Sequence, residues 1–125
     1  MKKIAFVSRR KLIAQGLDAA LQGRPEMDMQ LLPLIPPQRI RTDAGVYSPD
    51  LMVLDVEGGL EEDRLLCVCR EIREQLPDCR LLLLLSEENT RGRGLAVQAR
   101  QERLADDFVF YDSSVQYLLA KLAAL

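Results

Sequence analysis

The sequence predicts a single α/β domain, a parallel β-sheet covered by helices on both faces. Two observations carry that prediction. Short apolar runs that end in a polar residue recur along the chain: Ile4–Val7 before Ser8, Leu51–Leu54 before Asp55 and Leu81–Leu85 before Ser86. A short, continuous apolar run bounded by turn residues marks a strand buried on both faces. Between the runs, apolar residues return at helical spacing, and alternating strands and helices indicate parallel pairing through crossover helices. Right-handed crossovers leave few topologies for such a chain. The strand C-termini then gather at one edge, where ligands and chemistry collect in open α/β sheets.

The first strand covers Lys2–Ser8 and stops at Ser8-Arg9-Arg10. From Lys11 to Gln22, Leu12, Ile13, Leu17, Ala20 and Leu21 recur at helical spacing, and Gly23-Arg24-Pro25 ends the pattern. Met27–Ile35 reads as a second strand. Pro33 within it argues for an edge position or an early end, because proline has no N–H to give to the ladder. Pro36–Gly45 suits a short helix with Pro37 in its first turn, and Tyr47-Ser-Pro49-Asp50 turns into the central strand.

That strand, Leu51-Met-Val-Leu-Asp55, carries a carboxylate at its C-terminal end, and the chain then turns on Gly58 and Gly59. Glu61–Gln75 is a helix with Leu65, Leu66, Cys69, Ile72 and Leu76 as its apolar stripe. Arg80–Ser86 is read as a strand despite its five leucines, because the run between Pro77 and Ser86-Glu87-Glu88-Asn89 is too short for a buried helix. Thr90–Arg103 is a helix weakened by Gly92 and Gly94. Asp107–Tyr111 is the last strand, and Asp112-Ser113-Ser114 caps a final helix whose inner face is Val115, Leu118, Leu119 and Leu122.

With 125 residues the chain fits one domain, since domains commonly hold roughly 100–150 residues. A formal charge of −2 argues against nucleic acid as the main partner of residues 1–125. Histidine is absent, which excludes a His-based zinc site, a His general base and a His pH switch. No apolar run approaches the roughly 20 residues needed to cross a bilayer, and the N-terminal run is too short for a signal-peptide core. A cytoplasmic protein with no membrane partner is expected. Cys67, Cys69 and Cys79 form no Cys-x-x-Cys pair and are expected to pack as small hydrophobes.

Four segments follow one another in register: Lys2–Val7, Pro49-Asp-Leu-Met-Val-Leu-Asp55, Leu81–Ser86 and Leu104-Ala-Asp-Asp-Phe108-Val-Phe-Tyr111-Asp-Ser-Ser114. Over essentially its whole length the chain thereby resembles the CheY-like receiver domain of bacterial response regulators. The last segment is similar to the Gly-Ala-Asp-Gly-Tyr-Leu-Leu-Lys-Asp-Ser-Ser ending of receivers that precede a helix-turn-helix output domain. The resemblance implies a flavodoxin-like five-stranded sheet of order 2-1-3-4-5. It also implies two-component signal transduction, in which a phosphohistidine partner transfers a phosphoryl group to an aspartate. That chemistry uses magnesium to offset charge, a hydroxyl to follow one phosphoryl oxygen and a lysine to hold another. By position, Asp55 matches the phospho-acceptor, Ser86 the switch hydroxyl and Phe108 the aromatic whose rotation accompanies activation.

The departures from the family point the other way. Ser8 and Arg9 stand where the family has an acidic pair, and Tyr111 stands where it has the lysine. The metal site loses its carboxylates and gains positive charge from Arg9 or Arg10, so no resident cofactor is expected. An ion pair is expected instead, in which Arg9, or in second place Arg10, reaches Asp55 and stands in for cation and lysine together. A guanidinium matches a carboxylate with two prongs, whereas the plain alternative leaves both arginines in solvent. Glu57 is read as a remaining metal-facing carboxylate, a second arginine partner or a loop charge.

The expected function is a non-enzymatic receiver-like module acting by protein–protein contact, with magnesium-dependent phosphorylation of Asp55 weakened or lost. Its partner, a histidine kinase or a second copy, is expected on the fourth helix, fifth strand and fifth helix, residues 90–125. The alternatives are a working phospho-acceptor that regulates transcription through a DNA-binding domain outside this segment, a slow phosphatase using Asp55, Ser86 and a metal on Glu57, and a nucleotide or flavin binder. The last lacks a glycine-rich phosphate loop after the first strand.

Overall fold

Five consecutive leucines show how the sheet is built. Leu81, Leu83 and Leu85 point into one core and Leu82 and Leu84 into another on the opposite face, so a run with no polar alternation is what two-sided burial requires. These residues form β4 (Arg80–Leu85) in a computed structural model that describes residues 1–125. The other elements are β1 (Lys2–Val7), α1 (Lys11–Gln22), β2 (Met29–Leu31), α2 (Ile40–Tyr47), β3 (Leu51–Asp55), α3 (Leu65–Gln75), α4 (Thr90–Gln101), β5 (Asp107–Phe110) and α5 (Val115–Ala124). The strands lie in the order β2-β1-β3-β4-β5 and every pair is parallel, the flavodoxin-like arrangement. Helices α2, α3 and α4 cover one face through Ile40, Ala44, Leu65, Ile72, Ala96 and Ala99. Helices α1 and α5 cover the other through Ala14, Leu17, Leu21, Leu119 and Leu122. No helix is long and apolar enough to cross a membrane.

Several boundaries differ from the sequence reading. β2 is three residues long, with Ile35 returning as an isolated bridge beside Val7. Leu32 and Ile35 donate to Ile4 and Phe6, and Pro33 between them cannot. α3 starts at Leu65 after a 3₁₀ turn over Glu62–Arg64, and α4 stops at Gln101 because Arg103 takes a left-handed conformation, φ 60°. Leu12 and Val115, expected on inner faces, are 82% and 51% exposed. Cys69 and Cys79 are buried, and burial pushes their thiols up to about 12 and about 11, which keeps them as unreactive thiols at neutral pH. Cys67 is exposed, a correction to its expected packing.

The end of the sheet opposite Asp55 is held by a clamp that sequence periodicity does not reveal. From α3, Arg73 donates to the carbonyls of Leu104 (2.9 Å) and Cys79 (2.5 Å) and pairs with Asp106. Asp106 also accepts the Leu81 N–H at 2.8 Å and pairs with Arg80 at 3.2 Å. Burial pushes the Asp106 carboxyl up, but the Leu81 N–H and the Arg73 guanidinium outweigh it and hold it below the usual range. The folded pKa lies below an unfolded value of about 3.9, so the contribution is present above that value and is lost as pH falls through the folded pKa. We expect Asp106→Asn to cost about 1–2 kcal/mol in urea unfolding at neutral pH, and the gap from wild type to close in acid. A gap that stayed constant in acid would assign the loss to shape instead of charge.

Candidate functional site

Ser8 and Asp55 are the two buried polar residues of the chain, both fully inaccessible, and they lie side by side at the C-terminal edge of the sheet. The apolar run of β3 carries Asp55 there directly from the core. An ionised carboxylate at such a position is costly unless every lone pair is met. Oδ2 accepts the Ser8 hydroxyl at 2.7 Å and Arg10 Nε at 2.8 Å. Oδ1 accepts Arg10 Nη2 at 2.5 Å and the Tyr111 hydroxyl. The guanidinium thus grips both oxygens while its Cζ lies 4.6 Å from the centroid of the Tyr111 ring. The hydrogen bond to Asp55 raises the Arg10 pKa above its ordinary value, against the opposing effect of burial.

Local geometry selects Arg10 over its neighbour. Ser8 Oγ accepts the Arg10 backbone N–H at 2.8 Å, a two-residue hydroxyl turn that curls the chain and aims Arg10 at Asp55. The Arg9 N–H is meanwhile tied to the Gly58 carbonyl at 2.8 Å. The Arg9 side chain runs outward across Gly59, and its Nη2 lies 3.4 Å from Gln38 Oε1. The expectation that favoured Arg9 is therefore corrected. A serine two residues before an arginine at the end of a buried strand is the signal that could have found Arg10 and Ser8 together.

The turn after β3 seals the site. Gly58 returns its N–H to the Asp55 carbonyl at 3.0 Å, and a Cβ on Gly58 would overlap Asp55 Oδ2 and Ser8 Oγ. Gly59 follows with φ +106°, a conformation that favours glycine. Sequence reading found the turn but not this close approach.

The remaining site positions stand apart from the carboxylate. Exposed Glu57 accepts the Ser86 backbone N–H at 2.5 Å, and its own N–H lies 3.4 Å from the Tyr111 hydroxyl. The Ser86 hydroxyl accepts the Glu88 N–H at 3.3 Å, within its own loop. Phe108 pairs with Leu83 in register and packs edge-on to Phe110, ring centroids 5.8 Å apart. Neither Ser86 nor Phe108 is bonded to Asp55. No three His, Cys, Asp or Glu side chains gather as a metal-binding group.

No family model matches the sequence, and no curated protein does. Solved structures match it over nearly its full length. A DNA-binding response regulator of the LuxR family from Staphylococcus aureus superposes with a TM-score of 0.76 at 15% identity, covering 99% of this chain and 98% of that one. The fold is that of a response regulator receiver domain. The BeF3-activated N-terminal receiver domain of RstA from Klebsiella pneumoniae gives a TM-score of 0.74 at 24% identity, with 98% of this chain and 96% of that one covered. A third receiver-fold structure, described as a novel family of redox sensors in the streptococci evolved from two-component response regulators, gives 0.76 at 18% identity. It covers 99% of this chain and 50% of that one.

Proposed function

We propose that this chain is a receiver-like module of bacterial two-component signalling that acts in the cytoplasm by protein contact, with Asp55 in a permanent ion pair in place of magnesium-dependent phosphorylation. The observation that carries this reading is the saturation of Asp55, whose two oxygens hold four donors from Ser8, Arg10 and Tyr111. An attacking carboxylate needs a free oxygen and a path to the phosphoryl group. Here Gly58 and Ser8 close one side, and Arg10 stacked on Tyr111 closes the other. The residues present do not fit magnesium, which takes hard oxygen ligands in octahedral geometry. Beside Asp55 stand a hydroxyl, a phenol and a guanidinium, and the last carries positive charge where a dication would lie.

The module is not an enzyme on this reading, and its output depends on a partner at α4, β5 and α5. Val97 and Tyr117 are 42% and 47% exposed on α4 and α5, and half-buried Phe108 and Phe110 lie between those helices. Apolar and aromatic side chains flanked by charge, as Arg100 and Lys121 flank these, suit a protein contact. The streptococcal structure supports the general point, since it is described as belonging to a family of redox sensors evolved from two-component response regulators.

The test is a titration with magnesium and beryllofluoride followed by backbone amide NMR, with Asp55→Ala as control. We expect no saturable shifts at Asp55, Ser86 or Phe108 with millimolar ligand. Saturable shifts that vanish in Asp55→Ala would establish a working phospho-acceptor and overturn the proposal.

A further inference from the structure

A cavity of about 390 Å³ lies between α1 and α5 against the sheet, and Arg10 and Tyr111 line one end of it. Its floor is Leu84 and Val109, and its walls are Ile13 and Leu17 of α1 and Leu118 of α5. The volume falls within the range of small-molecule sites, and an apolar lining with one convergent charged group is the usual composition of such sites. The mouth is kept open by Gly16. A Cβ built at that position meets nothing within 4 Å, so the missing side chain, and no steric requirement, leaves the space unfilled. A glycine inside a helix beside an apolar void costs both helix propensity and dispersion contacts.

The charged end has capacity to spare. A guanidinium carries five N–H donors, and Asp55 takes Arg10 through Nε and Nη2, while Nη1 makes no hydrogen bond. We propose that the cavity is a binding site for a small apolar carboxylate, its hydrocarbon body between α1 and α5 and its carboxylate on the free edge of Arg10. Because the same guanidinium grips Asp55, a ligand there would be felt at the ion pair and at Tyr111, giving the switch site a chemical input in place of a phosphoryl group. The binding stands on the cavity alone; what it does to signalling rests on the proposed contact-module reading.

The test is methyl and arginine side-chain NMR of the full chain titrated with octanoate and, separately, with octanol. Octanoate is expected to shift the methyls of Ile13, Leu17 and Leu118 together with the Arg10 Nε–H, saturably, whereas octanol shifts the methyls and leaves the Arg10 signal in place. Arg10→Gln is expected to weaken octanoate by about tenfold, the loss of a charge-assisted bond, with little change for octanol. Gly16→Leu, whose Cβ meets nothing within 4 Å and whose longer side chain is meant to occupy the cavity, improves the helix and is expected to fold and to abolish both titrations. Absence of saturable octanoate shifts, or binding that survives Gly16→Leu, would overturn the proposal. So would methyl shifts that follow protein concentration without ligand and vanish in Gly16→Leu, since a second copy would then fill the cavity. Failure here with no response to beryllofluoride would leave the contact-module reading intact, whereas octanoate binding beside a beryllofluoride response would retire that reading and keep the cavity.

Discussion

Replacing Arg10 with methionine is expected to lower the unfolding free energy by about 3 kcal/mol, the low end of the range for removing one partner of a buried ion pair. The loss comes chiefly from what remains. Asp55 has no exposed surface, so without the guanidinium its charge keeps only the Ser8 and Tyr111 hydroxyls. Arg10 itself is 39% exposed, and water entering its place tempers the penalty. Methionine keeps part of the hydrocarbon contact with Tyr111, so packing loss contributes little. Adding Asp55→Asn to Arg10→Met removes the orphaned charge, and the double variant is expected to be more stable than Arg10→Met alone. Urea unfolding of the four proteins in this cycle measures the coupling. A value for Arg10→Met within about 0.5 kcal/mol of wild type would mean that the pair behaves as a surface contact, for which such small values are usual.

Gly58→Ala is expected to cost about 2 kcal/mol, because overpacking against groups that cannot move is expensive. The added methyl would meet Asp55 and Ser8, which are buried and bonded to each other and so cannot swing aside as an exposed side chain would. Two outcomes distinguish steric from conformational effects. If close approach is the cause, Gly58→Ala also perturbs the Arg10 Nε–H resonance, because the carboxylate it donates to has shifted. At Gly59 the strain is conformational, since φ is +106° there, and the atoms nearest an added methyl belong to the flexible Arg9 side chain. Gly59→Ala is expected to lose stability with the Arg10 resonance unchanged. Equal resonance shifts in both variants would argue that the turn moves as one piece.

The hydrophobic pattern by itself determined the fold class and the position of Asp55. Uninterrupted runs such as Leu51–Leu54 and Leu81–Leu85 demand burial on both faces, and burial is a property each short segment states for itself. The strand order β2-β1-β3-β4-β5 was legible through resemblance. The tertiary structure decided what those segments meet. It chose Arg10 over Arg9 through one hydroxyl turn at Ser8 and an acceptor 45 residues further along the chain. It turned the Ser86 hydroxyl into its own loop, shortened β2 at Pro33, and brought Gly58 against the carboxylate. Each of these depends on which groups from distant segments share a buried volume and must satisfy one another there. Residue spacing records the direction of a side chain relative to its own element, but not the partner it finds at the other end.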